Sequence, residues 1–221
     1  MRAAGSPAGV RIPAGIDDLD SFRRWAKSDD FPQHGRFAYL RGQIWVDLSM
    51  EQAFWHNQVK AVIAVVLFRI VRSGGLGYFF TDGMLLSNLD ADFTTAPDGI
   101  FVSFDTIEAI RLQLVEGAED GCVELVGAPD MVLEVVSDSS VGKDTEEMRE
   151  LYWRAGIPEY WLVDARGEAL QFQILRRTAR GYSAVRPQRG WLRSPVFSRA
   201  FRLTRKTDRL GNPSYNLLVR E

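Results

Sequence analysis

The stretch "MVLEVVS" (131–137) sets one acid, Glu134, inside a run of Met131, Val132, Leu133, Val135 and Val136. Such a short apolar run reads as a buried strand. Charge taken out of water is costly unless it is paired, neutralised or bound to a metal. No base lies within eight residues of Glu134. A chain that folds around this strand must give that carboxylate a partner, and the rest of the sequence is read for one.

The 221 residues are 46% hydrophobic, enough for one sizeable core. The organisation expected is a lead-in over 1–15 and a single domain over 16–221. Within it a core of about 36–175 precedes a basic, β-rich extension of about 176–221. The longest apolar run, "AVIAVVLF" (61–68), is too short to span a bilayer. The N-terminus shows no secretory apolar segment, and the single cysteine, Cys122, rules out an intramolecular disulfide, so a cytoplasmic protein is expected. Net charge is −2, yet Thr81–Glu150 carries a net of −14 and Arg176–Glu221 a net of +10. This asymmetry points to an anionic partner at the basic end, or to two regions that neutralise each other.

Periodicity gives a coarse map. Leu19, Phe22 and Trp25 predict an amphipathic helix over 17–30, and alternation around Arg41-Gly42 predicts a hairpin over 36–49. A long helix over 51–75 is stopped by Gly74-Gly75. Strands are expected near 77–86 and 97–103, a helix over 104–114, an acidic loop over 115–121, then the strands "CVELV" and "MVLEVVS". Residues 143–156 read as a helix with Met148, Leu151 and Tyr152 on one face. The strand "PEYWLVDARG" and a second hairpin, "ALQFQILRR" with "GYSAVRP", follow. The pattern predicts an α/β (α+β) fold with one mixed central sheet flanked by helices, rather than a repetitive βαβ array.

Several chemistries are excluded early. There is no Gly-x-Ser-x-Gly, no Walker loop and no Gly-x-Gly-x-x-Gly, and two histidines, His34 and His56, cannot form a three-histidine site. Cys122, with no flanking base, reads as an inert buried thiol. Carboxylates on strands remain. Asp98 opens the apolar strand "PDGIFVS" 36 residues before Glu134. If the strands are neighbours, the two acids converge on a hard cation such as Mg²⁺, which would lower the pKa of a bound water and clamp a phosphoryl oxygen. Alone, Asp98 would read as a turn-initiating residue. After Glu134, "SDSSVGKD" turns into the next helix and can return Lys143 over the carboxylates; the competing reading is a surface pair of Lys143 with Glu147.

"APDGIFVS", "PDMVLEVVSDSSVGKD" and "LYWRAGIPEYWLVD" together resemble the Uma-two restriction-endonuclease family, bacterial members of the PD-(D/E)xK nuclease superfamily; the likeness runs from about Arg36 to Asp164. The resemblance implies a restriction-endonuclease-like core, homodimerisation, and Mg²⁺- or Mn²⁺-dependent hydrolysis of nucleic acid, with DNA the substrate to expect. It makes Asp98 and Glu134 the metal acids and gives the metal a backbone carbonyl from Val135. The superfamily lysine two residues after the second acid is Val136 here, a helical lysine of the family falls at Met148, and a hairpin glutamate falls at Ala38. Lys143 is therefore the candidate ammonium, with Gln43 and His56 as auxiliary candidates.

Three functions follow from these residues. The first is a metal-dependent endonuclease whose basic extension (Arg176, Arg177, Arg180, Arg186, Arg189 and Arg193) grips the nucleic-acid backbone. The second is a degenerate nuclease fold that binds nucleic acid or serves as a scaffold. The third, a module docking a basic protein on the acidic middle region, has no specific residue in its favour.

Overall fold

The computed structural model describes residues 10–117 and 121–221. The chain runs through α1 (Leu19–Ala26) and the hairpin β1 (Arg36–Leu40) and β2 (Gln43–Asp47) to the long α2 (Gln58–Gly74). Strands β3 (Gly77–Thr81), β4 (Leu85–Asn88), β5 (Phe93–Thr95) and β6 (Gly99–Ser103) follow. Then come the short α3 (Phe104–Glu108), β7 (Leu112–Glu116), β8 (Cys122–Gly127) and β9 (Met131–Val135). α4 (Met148–Arg154) leads to β10 (Glu159–Asp164), β11 (Gln171–Thr178) and β12 (Gly181–Ala184), and β13 (Leu192–Ser194), β14 (Arg199–Thr207) and β15 (Pro213–Arg220) complete the order.

The fold is mixed α+β as expected, and among the described residues the strands form three sheets. The central sheet is ordered β12-β11-β10-β9-β6-β3, a second six-stranded sheet β2-β1-β5-β4-β8-β7, and a third β13-β14-β15. Each six-stranded sheet contains one parallel pair, β9 with β10 and β4 with β8. Alternation along β9 explains the layering. Val132 and Val136 face a core shared with the second sheet and α4, whereas Leu133 and Val135 face a core under α2 and the third sheet. A strand buried on both faces must be apolar throughout, and Glu134 is its one exception.

α2 is held by Val59, Ile63, Leu67 and Val71, which recur every four residues and are buried. Each contributes roughly 2 kcal/mol by leaving water, and Leu67→Ala would cost about 3 kcal/mol. The helix stops at Gly75, left-handed at φ 58, as its glycine pair predicts. Both α2 and α4 are preceded by a π-helical turn, Ala53–Asn57 and Lys143–Glu147. With its π turn, Ala53–Gly74 is 22 residues, long and apolar enough to cross a membrane by length and composition, although the run 61–68 alone is not. The extra length comes from both sides of the run, residues 53–60 before it and 69–74 after it.

Other departures have local causes. The helix expected over 104–114 ends at Glu108; Ile110 adopts φ 57, and Leu112–Glu116 becomes a strand because it pairs with β8. Tertiary pairing there outweighs local propensity. Gly127, at φ 131, stands where a Cβ would meet the Arg111 carbonyl at 2.3 Å, so this crossing requires glycine. The region 77–86 splits into β3 and β4, and β5 is an additional short strand. Cys122 is exposed, not buried, because it stands at the outer start of β8. Of the loop expected over 115–121, residues 118–120 lie outside the described residues, as do 1–9 of the lead-in.

Candidate active site

Asp98 immediately precedes β6, and Glu134 lies on β9. The antiparallel register pairs Gly99 with Leu133 and Ile100 with Val132, so its continuation sets Asp98 opposite Glu134. Opposed residues on neighbouring strands have Cβ atoms about 5 Å apart. Asp98 also accepts the Val135 amide at 2.7 Å, which fixes its carboxylate at the end of β9. The amide of Val135 is thus spent on Asp98.

Glu134 is 3% exposed and accepts one side-chain hydrogen bond, from the Tyr152 hydroxyl of α4 at 2.6 Å. Burial pushes its pKa up to about 8, against the pull of Lys143 and the Tyr152 hydrogen bond, while Asp144 and Asp98 push it further. Lys143, on the turn that follows β9, acts on this acid through its charge. Its ammonium is 3.0 Å from Asp144 Oδ1 and 4.9 Å from the centre of the Trp45 ring, without an ion pair to Glu134 itself. Burial opposes charge on Lys143, yet Glu134, Asp144 and Asp98 outweigh it and raise its pKa. The surface pair with Glu147 does not form.

On α2 and the segment before it, further groups gather at Asp98. Gln52 caps the π turn through the amides of Phe54 and Trp55 and orients the chain around it. His56, almost fully buried, holds Glu51 through Nδ1 at 2.8 Å and leaves Nε2 3.8 Å from Asp98 Oδ2. Lys60 contacts Glu51, sits 2.6 Å from Asp82 and 3.4 Å from Asp98 Oδ1. Burial would raise the pKa of Glu51, but Lys60, Asn57 and His56 hold it at about 2. Asp82 moves the other way: burial and then Asp98 raise its pKa despite Lys60. Two clefts meet at Glu51. One, of about 180 Å³, is lined by Arg36, His56 and Ser137–Ser139; the other, of about 300 Å³, by Arg36, Lys60 and Asp82.

The remaining predicted residues are dispersed. Gln43 is exposed at the turn end of the hairpin, opposite Leu40, and hydrogen-bonds no site residue. From the other end of β2, Asp47 reaches the loop after β9 by accepting the Ser139 hydroxyl at 2.6 Å. Val136 and Met148 are fully buried apolar residues, and Ala38 is buried in the hairpin. Register places Arg176 beside Glu159, level with Met131, at the end of the central sheet opposite Glu134. Arg177 donates to the Trp153 carbonyl, and Arg193 to the Ser198 carbonyl. Arg180, Arg186 and Arg189 are exposed. Sequence reading missed Glu51, Lys60, Asp82, Tyr152 and Asp47 as members of the site. Lys60 did carry a signal, a lysine between Val59 and Ala61 on the apolar helix.

The donors at Asp98 and Glu134 are carboxylate oxygens, suited to a hard cation. A buried carboxylate with no cation in contact fits that role. Among the described residues no three His, Cys, Asp or Glu side chains are already clustered to hold a metal. Mg²⁺ needs only one or two such side chains, with water and substrate oxygens completing its shell.

A sheet carrying two acids on adjacent strands, with helices on its faces, places the chain in the restriction-endonuclease-like class. The family model described as "Putative restriction endonuclease", Uma2, matches residues 19–206, and the chain belongs to that family. A solved structure from Anabaena variabilis ATCC 29413, described as "a putative nuclease belonging to DUF820", is similar in fold. Its identity is 17% and its TM-score 0.59, over 82% of this chain and 90% of that one. No curated protein matches the chain.

Proposed function

We propose that this protein is a divalent-metal-dependent endonuclease acting on nucleic acid, with DNA the preferred substrate. The observation that carries the reading is Glu134: a carboxylate buried on a central strand, opposed to Asp98, with one hydroxyl for company and a pKa near 8. A group in that position holds a proton until a cation replaces it. Asp98 and Glu134 would hold Mg²⁺ or Mn²⁺, with the Val135 carbonyl as a further oxygen. The bound ion would supply an acidified water and a clamp on the scissile phosphate.

The chain's own residues do the rest. Tyr152 fixes one Glu134 oxygen, and the Val135 amide fixes Asp98, so neither acid has to reorganise to bind. Lys143 brings a permanent positive charge to a dry site, where it stabilises negative charge developing on phosphate more strongly than it would in water. Arg36 lines both clefts, paired with Glu51 at 3.2 Å, and would be the guanidinium nearest a nucleic-acid backbone bound there. Homodimerisation is supported by Val65 and Phe68, exposed on α2, by Leu76 just before the edge strand β3 and by Tyr78 on it.

A second reading, a degenerate nuclease fold kept for binding, is favoured by the buried, apolar Val136 and Met148 where lysines are expected. Cleavage of plasmid and single-stranded DNA with Mg²⁺ or Mn²⁺, beside a Glu134→Ala control, separates the two. Metal-dependent cutting lost in the variant supports the nuclease. Salt-sensitive binding without cutting by either protein would support the degenerate fold.

A further inference from the structure

Lys60 stands among three carboxylates brought by three segments: Glu51 from before α2, Asp82 from the turn after β3, and Asp98 from before β6. Arg36 also reaches Glu51 from the rim, at 3.2 Å, so two cations face three acids and the cluster keeps one negative charge in surplus, which favours a cation at its centre. A second feature points the same way. His56 is 1% exposed, and its Nε2 has no hydrogen-bond partner while it lies 3.8 Å from Asp98 Oδ2. A buried ring nitrogen with nothing to bind, beside an acid cluster, is a ligand position left open. The side chain of Asp82 is about half exposed, and a cleft runs past Asp82, Lys60 and Glu51, so small ions can reach the cluster.

We propose that Glu51, His56, Asp82 and Asp98 surround a second cation position that Lys60 fills in place of a divalent ion; spread around the ammonium, they are not gathered as a ready metal cluster. The centre then loads a single metal, at Asp98 and Glu134, with the Lys60 ammonium as its fixed neighbour. The single-metal count rests on the nuclease reading; the identity of the cage does not. An ammonium is a suitable tenant because it donates three hydrogen bonds and carries one charge, so it gathers the acids without the stricter geometry that Mg²⁺ imposes.

The test counts ions. Mn²⁺ binding is titrated by calorimetry and by electron paramagnetic resonance on the full chain and on Lys60→Gln, which keeps length and loses charge. The wild type is expected to bind one Mn²⁺ and Lys60→Gln two; Lys60→Gln/Asp82→Asn should lose the added one. Without metal, Lys60→Gln should melt below the wild type, and Mn²⁺ should raise its melting temperature by the larger increment. No ion in the wild type but one in the variant would sink the Asp98–Glu134 reading and leave the cage standing. The same number in both proteins would overturn the cage and leave the first site standing. A variant that does not fold even when refolded in Mn²⁺ would also overturn it, since the cage should accept either cation.

Discussion

Glu124 and Glu134 are both glutamates on interior strands with side chains out of water, and they are held in opposite ways. Glu124 meets Arg23 at 2.5 Å, Lys27 at 2.7 Å and the Ser87 hydroxyl at 2.6 Å. Burial alone would raise its pKa, but these partners bring it below the ordinary value. Its charge ties α1 to the second sheet. Glu134 has one hydroxyl, no cation in contact, and a pKa pushed up to about 8. Glu159 separates burial from function. It too is buried with a raised pKa, yet the Trp161 indole and the Ser194 hydroxyl satisfy it, and the bond from Ser194 joins the third sheet to the central one. Burial alone therefore does not mark a site. What sets Glu134 apart is incomplete partnering next to a second acid, the feature on which the proposed site rests.

The widest separation should come from activity. Glu134→Ala is expected to lower metal-dependent cleavage about a hundred- to a thousandfold, the range of removing a central electrostatic group. Glu134→Gln should also abolish cleavage while melting at or above the wild type at pH 8, because no carboxylate is then forced out of water. Equal activity of Glu134→Gln and wild type would erase the distinction between the two glutamates.

Glu124→Ala should behave in the reverse sense. Removing it leaves Arg23 and Lys27 facing a gap, at a cost of about 3 kcal/mol in chemical denaturation, with cleavage per folded molecule unchanged. The figure lies at the low end of the range because both cations keep some access to water.

The two acids should also tilt stability with pH in opposite directions. The folded pKa of Glu134 lies above the ordinary 4.5, so between there and about pH 8 the native chain binds more protons than the unfolded one. Its contribution is fully present below pH 4.5 and is lost as pH rises through 8. For Glu124 the contribution is present above pH 4.5 and is lost as pH falls through its lowered folded pKa. Melting curves from pH 5 to 9 without metal should decline toward the alkaline end by a few kcal/mol at most, on the order given by linkage. Glu134→Gln should flatten that slope and Glu124→Gln should not.

Tyr152→Phe makes the finest comparison. It deletes the one hydroxyl on Glu134 with little change of shape, and should cost about 1 kcal/mol of stability and roughly tenfold in cleavage rate. An unchanged rate would show that Glu134 is positioned by the strand alone.

Some of this was legible in sequence because its signals are local. A carboxylate in a run of β-branched residues announces Glu134, and glycines mark the ends of α2 and of the first hairpin. Burial of Met148, Leu151 and Tyr152 followed from their shared helix face, yet nothing local said that Tyr152 also reaches an acid on another element. The cluster around Lys60 is less accessible still. Glu51, Asp82 and Asp98 are 31 and 16 residues apart in turn, and only the order β9-β6-β3 beside α2 brings them together. Three-residue β5 is too short to show a period. The segment 112–116 became a strand because a partner was available.

The π turns give α2 and α4, the helices of the proposed site, one surplus residue at the point where His56 and Lys143 emerge. Asn57 reaches back five residues to the Gln52 carbonyl, and Met148 does the same to Lys143. Excising one residue from either turn would restore ordinary helical phase, swinging what precedes it by about 100° around the axis. Most of the core would keep its packing, but the ammonium at Lys143 or the imidazole at His56 would point elsewhere. For this chain, length in two five-residue windows is as strict a specification as the identity of any acid.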